Sequence, residues 1–321
     1  MHGVVLDGES LGPDLDLGGL CDELEHWDWY DRTGPAEVAP RIAAADIVVT
    51  NKVVLDAASL AAAERLRLIC VAATGVNNID LEAAAGAGIT VCNAVGYATA
   101  SVAQHTWALI LTLATQLCRY RELVQAGGWT QASHFCRLDL PIQELAGGTL
   151  GIVGYGELGR AVAAAAPAFG LETVLAARPG TTAIPAGRVP LPDLLERADI
   201  LSLHCPLTEH TRGLIGRAEL ARMKPSALLI NTARGGIVDE EALVDGLRAG
   251  EIAGAGIDVL TQEPPAPDNP LLADDVPNLI VTPHCAWGAR AARQRLIEQV
   301  RANIAAFRAG APRNIVQPEV R

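Results

Sequence analysis

Three side chains in the C-terminal half could together hold an anion and move a proton: Arg234, Glu263 and His284. A guanidinium grips a carboxylate or phosphate through parallel N–H bonds. An imidazole gains or loses a proton near neutral pH, and a carboxylate beside it favours the charged ring and fixes its orientation. Each residue follows an apolar run that reads as a strand. Residues 227–230 run into Asn231-Thr232-Ala233-Arg234-Gly235-Gly236, 256–260 precede Glu263-Pro264-Pro265, and 279–283 end in His284. Singly, each has a structural alternative: a solvated loop arginine, one surface acid among 37 acidic residues, a satisfied core histidine. Their succession at three strand ends is what points to a site, because ligands of doubly wound sheets sit beyond the carboxyl ends of the strands.

The elements that must position them radiate from residues 149–160. The apolar run 150–153 reads as a buried strand and enters Gly154-x-Gly156-x-x-Gly159; an Ala-rich helix follows over 157–169. In a dinucleotide fingerprint the first glycine allows the tight turn. The second lets a pyrophosphate approach the backbone, and the third lets helix and strand pack closely. The helix start then offers free N–H groups to the phosphates, here around Glu157 and Leu158. A glycine-rich turn in a chain with 31 glycines is the plain alternative. The strand before, the helix after and a further strand over 171–177 favour the nucleotide.

From residue 149, six strands recur at regular intervals, beginning near 149, 172, 199, 227, 254 and 278. Helices are expected at 191–198, 216–223 and 240–248, and a proline-rich acidic loop over 262–277. Before the fingerprint, strand-like runs at 4–6, 45–50, 66–73 and 89–92 alternate with helix-like segments at 37–44, 60–64 and 81–87, a pattern of buried parallel strands covered on both faces. Residues 96–99 look like a hinge. Residues 101–125 read as one long helix with Ser101 as N-cap; its first half is apolar nearly all round, so it should lie under both domains or at a subunit interface. The final helix, 289–308, is expected to return to the first unit. The fold class is therefore α/β: a six-stranded dinucleotide-binding domain over 99–287, inserted into a smaller flavodoxin-like substrate domain formed by 1–98 and 288–321.

Composition narrows the partners. The chain has 321 residues, mean hydropathy +0.23 and a net charge of −12. No uncharged apolar run approaches a membrane span, the first ten residues carry no secretory pattern, and the acidic balance disfavours a nucleic-acid partner. Seven scattered cysteines, never spaced CxxC, read mostly as buried reduced thiols in a cytoplasmic enzyme. No metal site is expected.

Asn231-x-x-Arg234-Gly235-Gly236-x-Val238-Asp239-Glu240, Asp258-Val259-x-x-x-Glu263-Pro264 and Thr282-Pro283-His284 resemble the signatures of D-isomer-specific 2-hydroxyacid dehydrogenases. Residues 73–80, 100–105 and 145–156 look most like the glycerate dehydrogenase, or hydroxypyruvate reductase, branch. The resemblance spans about 46–308. It implies that Arg234 holds the substrate carboxylate, that His284 exchanges a proton with the carbonyl oxygen as hydride arrives at C2, and that Glu263 pairs with His284. It also implies a second carboxylate clamp at Gly75 and Val76, a nicotinamide contact at Asp258, and cofactor-lining positions at Cys205, Pro206, Thr211, Thr232 and Ala233. Tyr97 and Lys52 are weaker substrate candidates; His105 and His204 read as structural. Hydroxypyruvate/D-glycerate is the implied pair, with glyoxylate, D-lactate or phosphite as alternatives within the family, and a dinucleotide-sensing corepressor as the alternative outside catalysis. A homodimer is expected, with 101–125 central to its interface.

The cofactor position departs from the family. The second strand ends in Ala177-Arg178, where an acid normally bonds the adenosine ribose hydroxyls. Loss of the acid and gain of a guanidinium favour NADP(H), with NAD(H) possible if Arg178 only stacks on the adenine.

Overall fold

The computed structural model describes residues 1–181 and 184–318. Two compact units divide the chain: Met1–Ala98 with Gly288–Arg321, and Thr99–Trp287. Residues 319–321, assigned above to the substrate domain, lie outside the described residues.

The smaller unit is built on β1 (His2–Val5), β2 (His26–Trp29), β3 (Ile47–Thr50), β4 (Leu68–Val71) and β5 (Thr90–Cys92), all parallel, in the order β2-β1-β3-β4-β5. This is the flavodoxin-like order, whose switch point falls between β1 and β3. β3 and β4 are buried along their whole length, as parallel strands covered on both faces must be. β2 has no counterpart in the apolar pattern. It is an edge strand, its residues half-buried or exposed, so its sequence His26-Trp27-Asp28-Trp29 carries no strand-like apolar run. The last helix, Arg290–Arg308, packs against β4 of this unit, as the interrupted chain order requires.

The larger unit holds β6 (Thr149–Val153), β7 (Glu172–Leu175), β8 (Ile200–Leu203), β9 (Leu228–Asn231), β10 (Gly254–Ile257) and β11 (Leu279–Val281) in the order β11-β10-β9-β8-β6-β7, again parallel. Successive side chains of a strand point to opposite faces, and both faces carry a core. Leu201, Leu203 and Leu229 join one cluster, whereas Ile200, Leu228 and Ile230 join the other with Trp107 and Ile110. Chain order reverses between β6 and β8, which locates the switch point of this sheet.

The helix expected over 101–125 is two helices, Thr99–Ala114 and Leu117–Gln125, broken at Gln116, which adopts the left-handed conformation (φ +54°). Ser101 lies within the first and is not its N-cap; its hydroxyl donates to the carbonyl of Ala286 at 2.6 Å. The apolar character of that first helix is accounted for within its own unit. Leu109, Ile110 and Leu113 pack on the six-stranded sheet, and Trp107 stacks on Phe169 with ring centroids 4.6 Å apart. Burying a side chain such as Ile110 stabilises by roughly 1.5–3 kcal/mol. The fingerprint helix is also shorter than read, Glu157–Ala165, because Pro167 turns its end into a 3₁₀ segment. The 216–223 segment keeps one helical turn, Arg217–Leu220.

The cysteines correct the reading of mostly buried thiols. Cys70, Cys92 and Cys205 are buried, Cys136 is intermediate, and Cys21, Cys118 and Cys285 are exposed. Among the described residues no helix is long and apolar enough to cross a membrane.

Candidate active site

The glycine turn is the first part of the site. Gly154 has φ +92°, and a Cβ there would lie 2.6 Å from the backbone of His204 and Cys205. Only glycine lets β6 end so close to the end of β8, across the switch point. A Cβ on Gly159 would lie 2.1 Å from the carbonyl oxygen of Gly154, so the helix is seated directly on the turn. Gly156 differs, since a Cβ there would meet nothing within 4 Å. Its side is open, and as the N-cap it supplies no side-chain bond to the helix start. The first-turn N–H groups of the Glu157–Ala165 helix therefore lack an internal cap. An open cradle lined by such donors suits a pyrophosphate, and the residues present fit a dinucleotide.

His204 flanks this turn. Its Nε2 pairs with Ser202 Oγ at 2.8 Å, and its Nδ1 is buried without a partner among the described residues. Burial pushes its pKa down to about 4, so the ring is neutral at physiological pH.

The reacting groups come from the other half of the sheet. β9, β10 and β11 are neighbours, with Ile257 opposite both Asn231 and Val281. Arg234 and His284 thus each follow their strand by three residues, on strands roughly 10 Å apart. The Arg234 turn is tied by Asn231, whose Nδ2 donates to the Arg234 carbonyl at 2.9 Å while its Oδ1 accepts from Ala233 N–H at 3.1 Å. Gly235 has no alternative residue, since a Cβ would lie 1.9 Å from the Leu260 carbonyl oxygen. The half-buried Arg234 guanidinium donates from Nη1 to the Ala233 carbonyl at 2.7 Å. That uses one of five N–H groups.

His284 sits in the left-handed region at φ +50°, uncommon for a residue with a side chain. Its N–H donates to the Asp258 carbonyl at 2.8 Å, and its own carbonyl accepts from Trp287 Nε1 at 2.9 Å. Asp258, buried under this turn, holds it further. Its Oδ1 accepts from Thr282 Oγ1 at 2.5 Å and Cys285 N–H at 3.0 Å, and its Oδ2 from Ala286 N–H at 2.9 Å. The ring meets Glu263, with His284 Nδ1 2.6 Å from Oε2, while Oε1 accepts from Leu260 N–H at 2.8 Å. Anchored at both oxygens, Glu263 fixes the ring plane. An ionised carboxylate only accepts, so Nδ1 carries the hydrogen and Nε2 is the atom left for chemistry. Both side chains remain partly open to solvent, at 25% and 33%.

A dinucleotide cradle and an Arg–Glu–His set thus share one six-stranded parallel sheet. Residues 107–286 match the family model for the NAD-binding domain of D-isomer-specific 2-hydroxyacid dehydrogenases, more than half of the chain. The chain belongs to that family. It is 43% identical over 315 residues to a glycerate dehydrogenase of Methylorubrum extorquens, covering 98% of each protein. Its fold is similar to that of a Thermus thermophilus protein with a TM-score of 0.86 at 36% identity, covering 98% of this chain and 100% of that one. A solved NADPH-dependent glyoxylate/hydroxypyruvate reductase of Sinorhizobium meliloti, in complex with NADP and malonate, is similar with a TM-score of 0.82 at 27% identity, covering 98% and 96%.

In this dehydrogenase, several positions that the family resemblance links to the cofactor are occupied with folding their own loops. Thr211 Oγ1 donates to the Pro206 carbonyl at 2.6 Å and accepts from Thr208 N–H at 2.7 Å, closing the exposed Pro206 turn. Thr232 Oγ1 pairs with Thr106 Oγ1 at 3.0 Å, both buried, and Ala233 is buried beside it. Cys205 is buried, which pushes its thiol up to about 11. Asp258 accepts three internal donors, so its carboxylate first of all shapes the His284 turn. His105 joins that network through Thr282 Oγ1 at 3.0 Å.

The end of β7 holds a residue the sequence pattern passed over. Ala177 N–H donates to the Val189 carbonyl at 2.7 Å, and exposed Arg178 opens the following loop. Arg188 returns to this point. Its Nη1 donates to the Ala176 carbonyl at 2.9 Å, and its guanidinium lies 5.9 Å from the ring centroid of Tyr155, inside the glycine fingerprint. The bridge between Ala176 and Val189 brings it there. One bridging residue is too short a strand to register as an apolar run.

Four candidates belong to the smaller unit. Gly75 and Val76 are half-buried after β4, and their N–H groups donate to no backbone carbonyl or side chain among the described residues, as an anion clamp requires. Lys52 is exposed after β3, with its backbone N–H held by Asp7 Oδ2 at 2.6 Å. Tyr97 is buried and its carbonyl accepts from Arg295 Nε at 2.9 Å.

Proposed function

We propose that this dehydrogenase interconverts hydroxypyruvate and D-glycerate, with NADP(H) as its preferred cofactor. The observation that carries the chemistry is the 2.6 Å pair of His284 and Glu263, with Arg234 following a strand of the same sheet that bears the glycine cradle. Hydride exchange at the C2 carbon is what a bound nicotinamide supplies. Arg234 grips the carboxylate of the 2-oxo acid and draws charge toward its carbonyl oxygen. His284 Nε2 delivers the proton that oxygen needs, and Glu263 stabilises the imidazolium from which it comes. In the oxidative direction, Nε2 takes the proton back. The glycerate dehydrogenase relative supports the substrate pair, since its identity spans nearly the whole chain.

NADP(H) is favoured by two guanidinium groups at the end of β7 with no acid between Leu175 and Arg178. An acid would repel a 2′-phosphate, whereas arginine binds it through charge-assisted bonds. Steady-state rates with hydroxypyruvate, glyoxylate and pyruvate, each with NADPH and NADH, test both assignments. The highest kcat/KM is expected for hydroxypyruvate with NADPH. Arg178→Ala should weaken NADPH by at least about tenfold while sparing NADH, the loss of one hydrogen bond to a charged group. Equal loss for both cofactors, or preference of the wild type for NADH, contradicts the cofactor assignment alone.

The chain is further proposed to act as a homodimer. Its large exposed apolar residues concentrate in one stretch of the larger unit, including Leu117, Trp129, Phe135, Leu138 and Ile142, with Phe135 90% exposed. A patch of this kind marks an interaction surface. We centre the proposed interface on 117–142, which overlaps the C-terminal part of the expected 101–125. Light scattering should give twice the 33.6 kDa chain mass, and Phe135→Glu with Leu138→Glu should shift it toward one. A single-chain mass for the wild type at micromolar concentration excludes the dimer.

A further inference from the structure

Away from the dehydrogenase site, two imidazoles and a carboxylate converge at the edge of the five-stranded sheet. β1 and β2 place His2 opposite His26, and the two-residue period of a strand puts Asp28 on the same face as His26. His2 Nε2 lies 2.9 Å from Asp28 Oδ2, and His26 Nε2 lies 3.6 Å from Oδ1. The two rings are 4.7 Å apart, and one ligand atom from each of the three residues falls within 4.8 Å of the others. We propose that His2, His26 and Asp28 form a binding site for a divalent transition cation of the zinc type, which prefers imidazole nitrogen and carboxylate oxygen in a compact set.

The second nitrogen of His2 accords with that clustering. His2 Nδ1 lies 3.3 Å from the carbonyl oxygen of Ala44. When Nδ1 donates to that carbonyl, a neutral ring turns the lone pair of Nε2 toward a carboxylate that also has only lone pairs. In that tautomer two acceptors face each other at 2.9 Å, an arrangement that a bound metal ion satisfies. An imidazole whose far N–H is held by a backbone carbonyl is also the usual arrangement of a metal-bound histidine. His26 points its own Nε2 at the same carboxylate, and a single cation serves both nitrogens at once. The His26 side chain is 68% exposed, which leaves room for water to complete the coordination. The consequence is mechanical: the cation ties β2, an edge strand with little burial, to its neighbour β1.

The experiment is a calorimetric titration of the full-length protein with Zn²⁺ after chelator treatment, beside thermal melts with and without the metal. Wild type is expected to bind one equivalent that His26→Ala and Asp28→Asn each weaken by at least about tenfold. Zinc should raise the Tm of wild type and of neither variant, as a ligand of the folded state does. Cys285→Ser should leave that equivalent in place, which separates it from the group of His105, Asp258 and Cys285 near the dehydrogenase site. Equal zinc binding by wild type and both variants, or no equivalent bound by wild type, overturns the proposal. His26→Ala removes little packing; if it alone fails to fold, the isosteric Asp28→Asn gives the same test.

Discussion

His284→Gln is expected to lower kcat for hydroxypyruvate by about 10²–10⁴-fold, the usual contribution of a positioned general acid. Glutamine fills much of the same space and can still donate to Glu263, so the turn at φ +50° survives. What it lacks is an ionisable proton at the position of Nε2. The Asp258 bonds to Cys285 and Ala286 N–H do not involve the side chain, which keeps the loop in place in the variant. Cofactor affinity, measured by quenching of protein fluorescence, should therefore remain near wild type, because the glycine cradle lies at β6 and not at β11. A variant that turns over at a normal rate would remove His284 from the chemistry. A variant that loses cofactor binding to the same degree as turnover would point to a damaged loop instead.

How much of this was open to sequence alone depends on what each feature costs the chain. The six strands of the larger unit were legible because buried parallel strands need continuous apolar runs, and Leu228 to Ile230 cannot serve two covered faces otherwise. The glycines were legible because Gly154 and Gly159 leave no space for a Cβ. Edge elements escaped for the opposite reason. β2 is half-exposed, so His26 to Trp29 obeys no apolar rule, and the bridge at Val189 that carries Arg188 is one residue long. The break at Gln116 has no proline or glycine to announce it; the residue adopts φ +54° with its side chain donating to the Leu113 carbonyl at 3.0 Å. At the site, residue types and order predicted that Glu263 pairs with His284, but not how Asp258 is spent. Its three internal donors come from residues 24 to 28 positions away, and only pairing of β10 with β11 brings them to it.

Arg234→Lys tests whether the second member of the set holds the substrate, and a lysine is the demanding choice because it keeps the charge. The ammonium is a point charge on a flexible stem; the guanidinium is a planar fork that offers two parallel N–H groups to one carboxylate. In the wild type that fork is already oriented by Nη1 bonding to the Ala233 carbonyl, in a turn that Asn231 and the Cβ-free Gly235 hold rigid. Lysine has no planar group for that carbonyl to orient. The expected loss is one hydrogen bond between charged groups, about 1.5–3 kcal/mol, or roughly 10- to 150-fold in kcat/KM. Most of it should appear as a raised KM for hydroxypyruvate, with a smaller fall in kcat as the carbonyl loses its polarising partner. The turn itself should survive, since its bonds are made by Asn231 and by backbone groups, so the Tm should stay close to that of the wild type. A KM left unchanged while kcat collapses would mean that Arg234 acts on the reacting oxygen and that another group holds the carboxylate.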